Sequence, residues 1–267
     1  MNNYNKLKNN FEEIGLLTFN QNIDKYIDLI NQGQLTMVDA LYMMTEKEKE
    51  FRQERVDKSM IKTAHFPFIK TFEDFDFSFQ PSIVKEEILD LKNLIFLNSA
   101  ENIILVGTPG VGKTHIATSI GIETSKNRYQ TYFITAHELI SQLKKAQLEN
   151  TLMRRLKHFT SYSVLIIDEV CFLPISRDEA NLFFQLINMR YEKHPTIITT
   201  NKSFNKWGEV FGDPVIANAI LDRLLHHSKV FSIVGPSYRT KDKTKYIFKI
   251  DDELNLGFYE LVVSYLC

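Results

Sequence analysis

Cysteine is scarce in this sequence. Only Cys171 and Cys267 occur in 267 residues, far apart and outside any ligand-spacing motif. That excludes a disulfide framework and a cysteine-based metal site, and it fits a reducing compartment. Long apolar runs are missing as well. The longest, Asn102 to Val106 and Val164 to Ile167, are far too short to cross a bilayer. The N-terminal MNNYNKLKNN lacks the apolar core of a secretory signal, so the expected location is cytoplasmic, with no membrane partner. An excess of one charge is also absent: 32 Lys and Arg face 33 Asp and Glu, for a formal net charge of -1. A nucleic-acid partner would therefore have to be held by local clusters, since the chain as a whole does not attract a polyanion.

Two such clusters exist. Between Ser141 and Thr160 the basic residues Lys144, Lys145, Arg154, Arg155 and Lys157 face only Glu149. Between Arg223 and Lys249 seven basic residues face only Asp242. Each cluster can neutralise phosphates or can be a solvated face. The 44% hydrophobic and 24% charged composition is that of a soluble globular protein, large enough for one α/β domain and a small appendage.

Texture divides the chain. Residues from about Asn5 to Ile61 lack strand-like runs. Leu35, Val38, Leu41 and Tyr42 recur at intervals of three and four, and Thr45 to Lys62 is dense in Glu, Lys and Arg. Both patterns predict helices. The stretch HFPFIKTFEDFDFSFQP is too irregular for one element and reads as a linker whose aromatics pin it to the following domain. An aromatic ladder for stacking bases is the other reading. Boundaries are therefore expected at 1–65 for a helical N-terminal domain, 66–82 for an aromatic linker and 83–267 for the main domain. In the last, apolar runs at Asn102–Val106, Thr131–Thr135, Val164–Ile167, Thr196–Thr200 and Lys229–Ile233 alternate with segments of helical length. Five such strands predict a parallel sheet covered on both faces, with ligands at the strands' carboxyl ends.

GTPGVGKT directly follows the strand NIILV and opens the helical run HIATSIGIETSK. This is the phosphate-binding G-x-x-x-x-G-K-T loop in its strand–loop–helix context. Gly107, Thr108, Pro109, Gly110, Val111, Gly112 and His115 would wrap the phosphates of ATP at a helix N-terminus. Lys113 would reach the β- and γ-phosphates, and Thr114 would offer its hydroxyl to Mg²⁺. VLIIDE ends a second buried strand with two acids. Asp168 suits the Mg²⁺ contact, and Glu169 suits polarising a water for attack on the γ-phosphate. The paired acids favour an ATPase over a small-molecule kinase.

GTPGVGKTHIA, VLIIDEVCFLP, TIITTNKSFNKW, ILDRLLHHS and GPSYR together resemble the IstB-like ATP-binding proteins. These are AAA+ ATPases that help insertion-sequence transposases and are related to the helicase loader DnaC. The resemblance spans nearly the whole chain, including the N-terminal helices and aromatic linker, and fades after Lys249. It implies an α/β AAA+ P-loop NTPase with a five-stranded parallel sheet, preceded by a small all-helical domain. Asn201 matches the polar residue that senses the γ-phosphate; without the family it would read as a turn residue. Arg223 matches an arginine finger inserted by a neighbouring subunit, or else is an exposed helical arginine. Arg239 matches a second sensor arginine.

ELISQLKKAQLENTLMRRLKH is longer than one crossover helix requires. In the resembled group a helical insertion here engages DNA, so Lys144, Lys145, Arg154 and Arg155 are candidates for sequence-independent contacts to double-stranded DNA. The implied function is an ATP-driven homo-oligomer that assembles on target DNA and assists a transposase. A DnaC-like loader acting on a replicative helicase is the alternative. His226 and His227 lack metal-ligand companions in sequence and read as ordinary helix positions. Trp207 reads as a core anchor, and Cys171 as a packing residue.

Overall fold

A computed structural model describes residues 2–172 and 174–241. Within them the chain forms two compact units that divide after Thr63.

The first unit is all helical, with α1 (Asn3–Glu13), α2 (Leu17–Asn31) and α3 (Met37–Thr63). Its small core is Phe19, Tyr26, Ala40 and Met44. Val38, Leu41 and Tyr42, whose spacing predicts the helix, stay outside that core and are 74%, 48% and 65% exposed. The row that turns inward on α3 is instead Ala40, Met44 and Glu48, four residues apart and so stacked on one face. Glu48 is buried because it satisfies the start of α2. It accepts a 3.0 Å bond from the Thr18 amide and further bonds from the Thr18 hydroxyl and Arg52. Burial pushes its carboxyl upward, but these hydrogen bonds outweigh it and hold the group below its ordinary value.

The second unit carries the sheet. Its elements are α4 (Lys85–Asp90), β1 (Asn102–Gly107), α5 (Lys113–Lys126), β2 (Thr131–Thr135), α6 (Ala136–Leu148), α7 (Leu152–Thr160) and β3 (Val164–Val170). They continue with α8 (Arg177–Arg190), β4 (Thr196–Thr200), α9 (Trp207–Val210), α10 (Pro214–His226) and β5 (Ser228–Ile233). The strands lie in the order β2-β3-β4-β1-β5, with all four pairings parallel, as expected.

Alternation along the strands feeds two cores. Ile104, Leu165, Ile167 and Ile198 face the layer containing α6, α7, α8 and α10. Ile103, Leu105, Ile166 and Ile197 face α5, Phe72, Ile88 and Phe96. A strand buried on both faces needs the unbroken apolar runs read in the sequence. Trp207 is fully buried in the first core and stacks on Phe211 at 5.4 Å. Arg190, 1% exposed, laces the far edge together by donating to the carbonyls of Phe159, Tyr162 and Pro195 and to the Thr196 hydroxyl. Burial pulls its guanidinium down to about 9.

The aromatic stretch after Thr63 lies in this second unit. Phe72 is buried in the second core, with Phe66, Phe75 and Phe77 packed against it. Ala64 accepts a 2.8 Å bond from the Phe133 amide at β2. Lys243, Lys245, Lys249, the tail DDELNLGFYELVVSYLC and its Cys267 lie outside the described residues. Among those described, no helix is long and apolar enough to cross a membrane.

Candidate nucleotide site

β1 ends at Gly107, and the chain loops through Thr108 to Gly112 before α5 begins. Gly110 and Gly112 hold φ of +83° and +98°, the left-handed region that a side chain strains. Space forbids a side chain as well. A Cβ on Gly110 would sit 2.0 Å from the Ser237 Oγ, and one on Gly112 2.5 Å from Phe75 Cε2. The loop is thus clamped between the aromatic stretch and the segment after β5, where the Tyr238 amide donates to the Gly110 carbonyl at 2.9 Å.

Lys113, at the first turn of α5, is 9% exposed and donates 2.8 Å bonds to the carbonyls of Gly107 and Thr108. Burial pulls its ammonium below the ordinary lysine value. Arg239 pulls the same way, while Asp168 and Glu169 push back. A desolvated cation in a loop of amides has lost water contacts that an anion can replace.

Thr114 donates to both carboxylate oxygens of Asp168, at 3.0 and 3.1 Å. Asp168 is 5% exposed, and burial raises its carboxyl against the opposing donors Thr199 and Thr114 and the charge of Lys113. One residue on, Glu169 takes φ of +58° where the β3–β4 register slips between Ile167 and Val170. That break turns the Glu169 side chain out of the sheet, exposed, between buried neighbours. Its amide donates to Thr199 Oγ1 at 3.0 Å, and the same hydroxyl donates to Asp168. Thr199 therefore fixes both acids from the neighbouring strand. Asn201, just past β4, carries a buried Oδ1 that has no hydrogen-bond partner among the described residues.

These side chains line one cleft of about 420 Å³. Pro109 to His115, Asp168, Glu169, Thr199, Asn201 and Arg239 border it, with Phe68, Phe75 and Tyr238 supplying apolar wall. Gly107 and Thr108, at the start of the loop, are not among the cleft's lining residues. His115 points toward the aromatic stretch, its Nε2 2.9 Å from the Thr71 carbonyl, and burial lowers its imidazole. The donor set suits a nucleotide triphosphate: a cationic amide loop for phosphates, an apolar and aromatic wall for a base, and an orphaned amide oxygen at the strand tips. Thr114 and Asp168 offer the hard oxygens that Mg²⁺ takes.

The family model for IstB-like ATP binding proteins matches residues 10–246. The chain belongs to that family. This IstB-like chain is 51% identical over 241 residues to the protein named for ATP binding in insertion sequence IS232 of Bacillus thuringiensis subsp. berliner, covering 90% of this chain and 96% of that one. It is 44% identical over 223 residues to the corresponding IS21 protein of Pseudomonas aeruginosa, covering 84% of each. In fold it resembles AMPPCP-bound DnaA from Aquifex aeolicus, with a TM-score of 0.54 and 21% identity over 76% of this chain and 61% of that one. DnaI matches at a TM-score of 0.54 and 18% identity, over 66% of this chain and 93% of its own. The fold is that of an AAA+ P-loop NTPase.

The remaining expected residues of the IstB-like chain stand apart from the cleft. Arg223 projects from α10, donates to Asn188 Oδ1 at 2.8 Å and to the Ala219 carbonyl, and lies over the Phe184 ring at 4.7 Å. The expected basic cluster splits between α6 and α7, which part at Asn150 with φ of +55°. Lys144 pairs with Glu179 at 2.8 Å, and Lys145 lies 4.0 Å from Glu149. Arg155 bonds to Gln142 and covers the Phe159 ring, while Arg154 is exposed. Thr199, Thr135, Tyr238 and Phe75 line the cleft without having been singled out. For Thr199 a signal existed: TIITT places hydroxyls at the carboxyl end of a buried strand, where packing alone would select apolar residues.

Proposed function

We propose that this protein binds ATP with Mg²⁺ in the cleft above the sheet, hydrolyses it as a homo-oligomer on double-stranded DNA, and assists an insertion-sequence transposase. One observation carries the reading. Lys113, Thr114, Asp168, Glu169, Asn201 and Arg239 converge on a single cleft, whereas Arg223 lies outside it.

Each residue then has a physical task. The loop amides and Lys113 hold the phosphates, and Arg239 adds charge from the segment after β5. Thr114 and Asp168 would hold Mg²⁺, which when bound neutralises phosphate charge. Glu169, free of the sheet at its left-handed position, accepts the proton of the attacking water, and Asn201 orients that water. Arg223 completes the cleft of an adjacent subunit, where a guanidinium stabilises charge developing in the transition state. Lys144, Lys145, Arg154 and Arg155 contact DNA phosphates without reading bases. Transposition is favoured over helicase loading because the insertion-sequence relatives reach 51% identity, while the likeness to DnaA and DnaI at 18–21% is one of fold.

Mixing two inactive variants tests the shared site. Lys113→Ala removes phosphate binding but leaves Arg223 to donate; Arg223→Ala leaves the cleft intact but lacks the donor. Each alone should hydrolyse ATP poorly, and the mixture should regain part of the activity. Arginine fingers supply roughly 10³–10⁵-fold in rate, so partial recovery stands clear of background. No recovery in mixtures shown by light scattering to co-assemble refutes the shared site.

A further inference from the structure

The ends of α8 and α10 bring together three side chains that nothing in the ATPase reading uses. Glu192 Oε1 lies 3.6 Å from His226 Nδ1 and 3.5 Å from His227 Nε2. All three donor atoms fall within 4.8 Å of one another, the one group of three metal-ligating residues of this kind among those described. We propose that Glu192, His226 and His227 form a site for a divalent transition metal of the zinc class.

The geometry has the right scale. A tetrahedral ion bonded at about 2.0 Å places its ligand atoms about 3.3 Å apart, close to the carboxylate–imidazole distances seen. Backbone position is what makes the cluster, since neighbouring histidines on a continuing helix would splay apart. α10 stops at His226, and His227 turns to φ -126°, ψ 89°, which lets its ring come to 4.2 Å from that of His226. Glu192 sits just after α8 with φ of +56°, a left-handed position that aims its carboxylate back across the helix ends. The two helices are held together one turn earlier by Arg223 on Asn188.

The Tyr191 hydroxyl lies 2.7 Å from His226 Nδ1. A neutral imidazole can carry its proton on Nε2, which leaves a lone pair on Nδ1. A metal would take that lone pair and the hydroxyl would rotate away. Two imidazoles and one carboxylate suit zinc and its neighbours; Mg²⁺ and Ca²⁺ prefer oxygen alone. All three residues are exposed, so the fourth position is open to water and the ion can exchange. Bound there, it would clip the C-termini of α8 and α10 directly behind Arg223, independently of whether Arg223 acts on a neighbour.

The test is Zn²⁺ titration of the full chain after chelator treatment, read by calorimetry and by the visible absorption of Co²⁺ in its place. One equivalent of Zn²⁺ should bind, and Co²⁺ should give a tetrahedral-type spectrum. His226→Ala, His227→Ala and Glu192→Ala should each weaken Zn²⁺ by no less than the roughly 10–100-fold that losing an outer-shell partner costs. All three positions are on the surface, so circular dichroism should show folded variants. No binding at about 100 μM free Zn²⁺, or affinity unchanged in all three variants, overturns the proposal. Neither result bears on ATP binding, which is measured separately.

Discussion

Replacing Thr199 by Val probes how the two strand-tip acids are held. The substitution keeps the shape and removes one hydroxyl, which donates to Asp168 and accepts from the Glu169 amide. A hydrogen bond to a charged group contributes about 1.5–3 kcal/mol, and a partly buried amide left unpaired adds to that, so the loss should be about 2–4 kcal/mol. Of a total near 5–15 kcal/mol that is large. Thr199→Ser keeps the hydroxyl and gives up one methyl, about 1 kcal/mol. Urea denaturation should rank parent, Ser and Val in that order. Hydrolysis should follow the same order, because Glu169 loses the bond that fixes its left-handed turn. Asp168 gives a further check. Burial already raises its carboxyl, and Thr199 opposes that shift. Without the hydroxyl the group protonates at still higher pH, and since Mg²⁺ needs the carboxylate, Mg²⁺-dependent activity should fail at a higher pH as acidity increases. A Val variant within about 0.5 kcal/mol of the parent, or a Ser variant as unstable as Val, would refute the argument.

Lys113→Ala should abolish ATP binding by calorimetry while circular dichroism stays native, because the loop amides cannot balance the phosphate charge alone. Glu169→Gln should bind ATP normally and hydrolyse it roughly 10²–10⁴-fold more slowly in a steady-state assay. DNA affinity measured against salt should be insensitive to sequence, and changing Lys144, Lys145, Arg154 and Arg155 together to Ala should flatten the slope by up to about 0.9 for each phosphate no longer neutralised. Lys144→Ala also releases Glu179, whose carboxyl Lys144 and the Ser176 amide hold at about 2 against an ordinary 4.5. That pair contributes stability above the ordinary value and loses it as pH falls toward about 2. In the variant that contribution should be smaller, visible as a lower urea midpoint near neutral pH, with the difference from the parent shrinking as pH falls toward about 2.

The parallel sheet was legible because four of its five strands are buried on both faces, β5 alone being largely exposed. VLII and TIIT carry no charged position that would mark an exposed strand. The phosphate loop was legible because backbone geometry there demands glycine. Thr199 was legible only in part: TIITT puts hydroxyls at a strand tip, but only the neighbour across the ladder gives this one its role. The helix α3 was legible from its spacing, but the face it buries was not. Val38, Leu41 and Tyr42 form a helical stripe, but the face that meets α2 is set by Phe19, Tyr26 and the Thr18–Glu48 bonds. Glu192 likewise joins His226 and His227 only through the ends of two helices well separated along the chain, a meeting no local pattern encodes.

The clamp of Phe75 on Gly112 bears on how this protein can be divided. The aromatic run after Thr63 is part of the unit that carries the nucleotide site, since Phe66, Phe72, Phe75 and Phe77 pack in its second core and Phe75 closes on the phosphate loop itself. A fragment starting at residue 83 would expose that core and unroof Gly112. A cut between Thr63 and Ala64 leaves every one of these contacts inside a single piece. The joint after Thr63 is therefore the cut that keeps the walls of the nucleotide site whole.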